Sequence, residues 1–303
     1  MNSSEVNSRP RLVDDANEWD DDATRPEIWR ARLAHAIGLL IRRPGLGMAI
    51  LFILFVIAAA VFPGWFTSHD PFATSPANKI LPPSWEHLFG TDHVGRDLFT
   101  RVLYGSKLTI QATALAILIA AVVGLLLGIF SGFSGGKVDA ALMRIVDVTL
   151  AIPSLLLALA IVTAIGFGTL QVAIAVGVGS IPAFARTTRS EVLKVKALPF
   201  VEAARLCGAG WLMIVWRHIL PNSCAPVAVL IILEFGGAVL AVAALSFLGF
   251  GAQPPAAEWG TLISEGRGYL MTAPWVSLLP GLFVALVVFS LNHIAKTLEE
   301  LQR

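Results

Sequence analysis

Six apolar stretches, at about 46–63, 108–130, 141–164, 170–187, 225–248 and 275–293, divide this chain. Each is long enough to cross roughly 30 Å of hydrocarbon as a helix. In lipid the backbone must satisfy its own hydrogen bonds, and the apolar runs lack the alternation of barrel strands, so the pattern predicts an all-α membrane protein with six transmembrane helices. The fourth stretch is short and interrupted by Gly177, Gly179 and Pro182. Such breakers are tolerated where neighbouring helices or a cavity cover the freed backbone groups. Only 14% of the 303 residues are charged, against roughly 25% in soluble domains. The net charge of +1 gives no bulk case for nucleic-acid binding. Cys207 and Cys224 stand apart in the motif and the next apolar segment, which argues against a disulfide framework or a zinc site.

Lys and Arg set the orientation, because short cytoplasmic loops retain them. With the N-terminus inside, only Lys79, Arg96, Arg101, Lys107 and Arg267 of the 22 basic residues fall outside. Both termini and the segment between the fourth and fifth spans are then cytoplasmic. Asp14, Asp15, Glu18, Asp20, Asp21 and Asp22 cluster among few large apolar side chains, so residues 1–28 read as a disordered acidic cytoplasmic tail. Residues 29–43 set Trp29, Leu33, Ile37 and Leu40 against Arg30, Arg32, Arg42 and Arg43. That is an N-terminal amphipathic helix lying along the inner interface. Pro44-Gly45 separates it from the first span; the alternative is an extension of that span. Residues 44–303 form the transmembrane domain.

The long inside segment is polar and small-faced. Pro199 suits a first helical turn, Phe200 to Cys207 continue it, and Gly208 supplies a stop. Gly210 allows a turn before Trp211 to Leu220, where Leu212, Val215, Trp216 and Ile219 recur at helical spacing. Ala203 and Ala204 leave a surface for close approach, and Glu202 and Arg205 offer charge to a partner. By spacing alone this is equally an amphipathic loop helix packed under its own bundle.

The residues themselves decide between the two. Glu202-Ala203-Ala204, three residues, Gly208, then Leu220-Pro221 resembles the EAA loop of the membrane subunits of binding-protein-dependent ABC importers. His218 stands where that family usually has isoleucine, a variant similar to the peptide-transport branch. Leu88 to Arg101, with Gly90, Thr91, Asp92, Gly95, Arg96 and Asp97, resembles the signature of the second, C-type permease of dipeptide, oligopeptide and nickel importers. So do Met143 to Asp147 with Ile152-Pro153-Ser154, and Phe247 to Pro255 with Glu258-Trp259-Gly260.

The resemblance runs from about Trp29 through nearly all of the remaining chain. It implies a non-catalytic permease of the bacterial inner membrane, coupled through Glu202, Ala203, Ala204, Arg205, Gly208, His218, Leu220 and Pro221. The implied partners are a homologous permease subunit, two cytoplasmic ABC ATPase subunits, an extracytoplasmic solute-binding protein and membrane lipid. It implies that ATP and magnesium are bound by the ATPase and that this chain binds no cofactor or metal. Di- and oligopeptides are the implied cargo, with nickel chelates, glutathione and opine-like metallophores as alternatives.

The rest of the chain is consistent with a partner-driven machine. A P-loop needs Gly-x4-Gly-Lys-Ser/Thr; the nearest approach is Gly136-Lys137, followed by Val138. Gly124, Gly128, Gly132 and Gly136 recur every four residues, a spacing that lets membrane helices approach closely. Gly132-Phe133-Ser134-Gly135-Gly136 also fits Gly-x-Ser-x-Gly, and with His293 suggests an intramembrane serine protease, which nothing else in the chain supports. His87, Asp92, His93 and Asp97 offer metal ligands in the outside loop; the alternative has Asp92 and Asp97 capping turns and Arg96 pairing locally. Arg144 and Asp147 sit three apart and are expected to pair. Trp259, near Pro254-Pro255, is expected at the membrane interface. Glu234 falls near the middle of the fifth span, where a lone carboxylate is costly. It either lines a translocation path or packs, protonated, between helices.

Overall fold

The computed structural model describes residues 43–302. The expected tail over 1–28, and all but the last residue of the expected interfacial helix over 29–43, lie outside the described residues. The chain up to Gly47 and the chain from Met48 form two units. Of the first, only the opening of α1 (Pro44–Val61) is described.

The remaining helices are α2 (Leu98–Ser134), α3 (Gly136–Ala151), α4 (Ser154–Ile165), α5 (Thr169–Lys196), α6 (Pro199–Leu206), α7 (Trp211–Ile214), α8 (Leu220–Phe247), α9 (Trp259–Gly266) and α10 (Trp275–Gln302). Five of the described helices (α1, α2, α5, α8 and α10) are long and apolar enough to cross a membrane. The third expected span, over 141–164, is not one helix. The α3–α4 pair bends by 92° at Ile152-Pro153. Proline drives the residue before it out of the α region, and Ile152 is extended at φ −89°, ψ 129°.

The fourth stretch shows the reverse. α5 runs 28 residues straight through Pro182, which is buried inside it. Tertiary packing outweighs the missing hydrogen bond because α5 is the partner of α2 along most of its length. The glycines make that contact. A Cβ on Gly177 would lie 2.8 Å from the Ala116 carbonyl oxygen. A Cβ on Gly128 would lie 2.6 Å from Cβ of Thr188, and one on Gly132 2.8 Å from Cγ1 of Val192. Gly136 faces open space. Inside a bilayer apolar burial drives little association, so close backbone contact of this kind holds the helices together.

Two apolar cores result. One joins α2, α4, α5 and α8 around Ala116, Val162, Val176 and Phe184. The other joins α1, α2, α8, α9 and α10 around Val102, Val239, Trp259 and Phe283. Large apolar side chains such as Leu51, Leu126 and Phe289 stay exposed on the outer faces, which suits a chain surrounded by lipid and other subunits. α2 has 37 residues, about 55 Å at 1.5 Å per residue, and so overruns a bilayer. Its two ends carry the two polar regions of the chain.

Candidate functional site

The coupling segment sits at the C-terminal end of α2. Pro199 occupies the first turn of α6, after an extended Leu198. At the other end Ala209 N–H donates to Ala204 O and Gly208 N–H to Arg205 O, both at 3.0 Å. With Gly208 at φ +85°, this is the paired hydrogen-bond stop that glycine allows at a helix end. Val201 turns inward onto a buried cluster of Val192, Val195, Ile214, Val215 and Ile219. Ala204 is half-buried, whereas Glu202, Ala203, Arg205 and Leu206 face outward; Leu206 is 83% exposed. Of the pair Ala203–Ala204, Ala203 is thus the more exposed.

His218 is half-buried, its ring centroid 5.6 Å from that of Phe200. Leu220 is half-buried and Pro221 exposed. Between α7 and α8 the chain takes one π-helical turn, Val215–Ile219, closed by Leu220 N–H to Val215 O. Pro221 lacks the N–H that the Arg217 carbonyl needs, and its ring crowds that carbonyl. The wider turn relieves the crowding. Pro221 was the available signal for this turn.

Arg205 ties this segment to α2, and a set of polar contacts joins the ends of α2, α3 and α5 beside it. Lys196 Nζ donates to the carbonyls of Phe133 (2.8 Å) and Gly132 (3.3 Å), closing the C-terminus of α2. Lys196 and Arg205 both lie against the Phe133 ring, at 5.1 and 6.0 Å from its centroid. Arg189 grips Asp139 through Nε at 2.5 Å and Nη2 at 2.6 Å, the two-pronged geometry arginine favours. Ser131 donates to the same carboxylate. Asp147 pairs across to Arg186 on α5, not along its own helix to Arg144 as the spacing predicts; the bend sets α3 beside the end of α5.

At the N-terminal end of α2 the polar groups are buried. Asp97 caps α2, accepting from Thr100 N–H at 2.7 Å, and its other oxygen meets His87 Nδ1 at 2.9 Å. Asp92 accepts from the N–H groups of Val94 and Arg96 and from Arg96 Nε at 2.6 Å. Glu265 Oε2 takes hydrogen bonds from Arg96 and Arg101, each at 3.3 Å. Thr91 Oγ1 accepts from Leu81 N–H at 2.8 Å. Gly90 and Gly95 have φ of +73° and +85°, and a Cβ on Gly90 would lie 2.9 Å from the Trp275 ring. Sequence reasoning identified Asp92, Arg96 and Asp97 but not Arg101 or Glu265, which are 164 positions apart and meet only in the fold.

The four expected metal ligands divide. His87 pairs with Asp97, while Asp92 and His93 come within 4.8 Å of Glu265. Arg96 and Arg101 already balance those two carboxylates, so the group is an ion-pair network. Glu258, fully buried, stands just before α9, its side chain turned away from that helix's N–H groups. It accepts from Ser246 Oγ at 2.5 Å and Ala252 N–H at 3.0 Å. Burial raises its carboxyl above the usual range, and the two hydrogen bonds oppose that shift. Trp259 is fully buried, with Nε1 donating to Val102 O at 3.0 Å. It is a core residue and not an interfacial anchor.

Between the two ends, Glu234 lies midway along α8. With Ser180 it lines a cavity of about 250 Å³ at the α3–α4 break. Ser134 is the last residue of α2, leading into a helix–helix turn. A nucleophile elbow needs a strand-to-helix turn, so its motif match carries no catalytic geometry.

The family model of the binding-protein-dependent transport system inner membrane component matches residues 124–302. A dipeptide transport system permease protein of Alkalihalophilus pseudofirmus is 41% identical over 253 residues, covering 84% of this chain and 83% of the relative. A di/tripeptide transport system permease protein of Pseudomonas aeruginosa is 38% identical over 280 residues, 90% of each chain. A glutathione transport system permease protein of Escherichia coli is 39% identical over 261 residues, 86% of each. Among solved structures, the fold is shared with a methionine ABC transporter crystallised in inward-facing conformations. There the TM-score is 0.53 at 20% identity, covering 65% of this chain and 96% of that one. The long helices, the broken span and these matches agree: this chain belongs to the family of binding-protein-dependent transport system inner membrane components.

Proposed function

We propose that this chain is the permease subunit of an ATP-driven importer of di- and oligopeptides, and that α6 is the lever through which the ATPase acts on it. The observation that carries the reading is the outward face of α6. Glu202, Ala203, Arg205 and Leu206 are presented to solvent from a helix locked at both ends and seated on a buried apolar cluster. A helix so held transmits a push without deforming. Arg205 and Lys196 pass the displacement through Phe133 to the end of α2. The Arg189–Asp139 pair carries it to α3 and so toward the break beside Glu234. ATP-driven closure must favour one of two global states, so the ATPase must bind them with different affinity.

In this reading both termini and the coupling segment are cytoplasmic. A homologous permease completes the path, two ATPase subunits hold ATP and magnesium, and a solute-binding protein delivers cargo from outside. This chain supplies no cofactor site. Glutathione is the second reading, supported by the glutathione permease relative.

The test is ATP-dependent uptake of a labelled dipeptide by the assembled transporter in proteoliposomes. Glu202→Lys is expected to abolish uptake while leaving membrane insertion and ATP hydrolysis. Normal uptake by that variant would overturn the lever.

A further inference from the structure

The cavity beside Glu234 differs from the ion-paired regions at the two ends of α2. Asp92, Asp139 and Glu265 each face a guanidinium. Glu234 faces Ser180, and no Lys, Arg or His is among the residues lining its cavity. Ser154, which opens α4 just after the 92° bend, lines the same cavity. Gly179 and Gly237 keep the space from filling; a Cβ on Gly237 would meet nothing within 4 Å. The remaining walls, including Leu150, Ala158 and Val176, are apolar.

This is a carboxylate and two hydroxyls at mid-membrane, with room beside them and no resident counter-charge. A carboxylate in such surroundings is costly unless a cation completes it. One carboxylate and two hydroxyls is a poor set for a divalent metal, which takes six or more oxygens. An ammonium group, with three donors, matches three acceptor groups.

We propose that Glu234, with Ser180 and Ser154, is a transient site in the translocation path for the ammonium group of the solute, the free amino terminus of a peptide. The proposal rests on the peptide-importer reading above. A single carboxylate also suits transit, since a path must bind well enough to admit its solute and weakly enough to release it.

The site is tested in the assembled transporter with Cys207→Ser and Cys224→Ser, carrying Ser154→Cys or, as a second position, Ala241→Cys. Labelling rates are compared for trimethylammonioethyl and sulfonatoethyl methanethiosulfonate, each divided by its rate with a free thiol in solution. A one-signed cleft with apolar walls should favour the cationic reagent by about tenfold or more. Adding Glu234→Gln should bring the ratio close to unity. A dipeptide with a free amino terminus should slow labelling, and its N-acetylated form should not. The proposal is overturned if neither position labels, if the preference survives Glu234→Gln, or if both peptides protect equally. If the Glu234-dependent preference and the amine-selective protection hold but no peptide is taken up, the importer reading fails and the cation site stands.

Discussion

The two ends of α2 solve opposite problems. At its N-terminal end Asp92, Arg96, Asp97 and Arg101 are each less than a tenth exposed; Asp97 answers His87, and the others answer one another or Glu265. At its C-terminal end Glu202, Arg205 and Leu206 stand in solvent, and Trp211 and Trp216 are more than half exposed. At one end the charges are answered within the chain. The other presents apolar and charged side chains that the chain leaves uncovered. Stability should therefore be sensitive to substitution at the first end and nearly indifferent at the second, with the reverse order for assembly.

The sharpest way to break this comparison is Arg101→Ala. Arg101 is fully buried against Glu265, and its removal leaves that carboxylate to Arg96 alone and vacates a buried space. Deleting one partner of a buried pair is strongly destabilising, here moderated by Arg96, which still faces Glu265. Thermal unfolding in nanodiscs should shift down by several degrees. An unshifted midpoint would mean that the network is not what holds this end together. Gly128→Val comes next. Its side chain would meet Thr188 and the α5 backbone at under 3 Å, and overpacking of this kind costs about 1–3 kcal/mol. Thr188→Ala in the same chain should recover part of the loss, measured by the same melt.

How much of this was legible beforehand depends on whether the signal was local. Asp97 as a cap, Pro199 as a helix start, Gly208 as a stop and Gly124, Gly128 and Gly132 as a contact stripe all act within a turn or two of themselves. Each was readable from residue type and spacing. The Ile152-Pro153 break was also local, yet apolarity on both sides masks it, because hydropathy does not register direction. Pro182 and Gly177 mislead in the other sense: their cost to α5 is real but smaller than the gain from packing against α2. Arg101 with Glu265, and Asp147 with Arg186, were beyond reach, since neither residue's neighbours announce a partner on another helix.

Glu258→Gln probes the buried end more gently. The raised folded-state carboxyl favours the protonated form, so its contribution is fully present below the unfolded value of 4.5 and is lost as pH rises through the folded value. Wild-type stability should accordingly decline on that rise. Gln can keep both hydrogen bonds without ionising, so the variant should show a flatter pH profile and equal or higher stability at neutral pH. A wild-type profile already flat across that range would remove Glu258 as its source.

Leu206→Glu makes the smallest change to the chain itself and best sharpens the contrast. Leu206 touches little, being 83% exposed at the end of α6. An exposed substitution of this kind moves stability by about 0.5 kcal/mol or less. If α6 is the seat of the ATPase, the same change places a charge in the apolar part of that contact. Truncating or charging a contact residue at the centre of an interface costs about 1–2 kcal/mol or more. The melting midpoint of the isolated chain should stay put while the fraction co-purifying with the ATPase falls several-fold. A fall in both would assign Leu206 to the fold. A change in neither would move the seat away from the tip of α6, and the exposed aromatic pair Trp211 and Trp216 would become the face to substitute next.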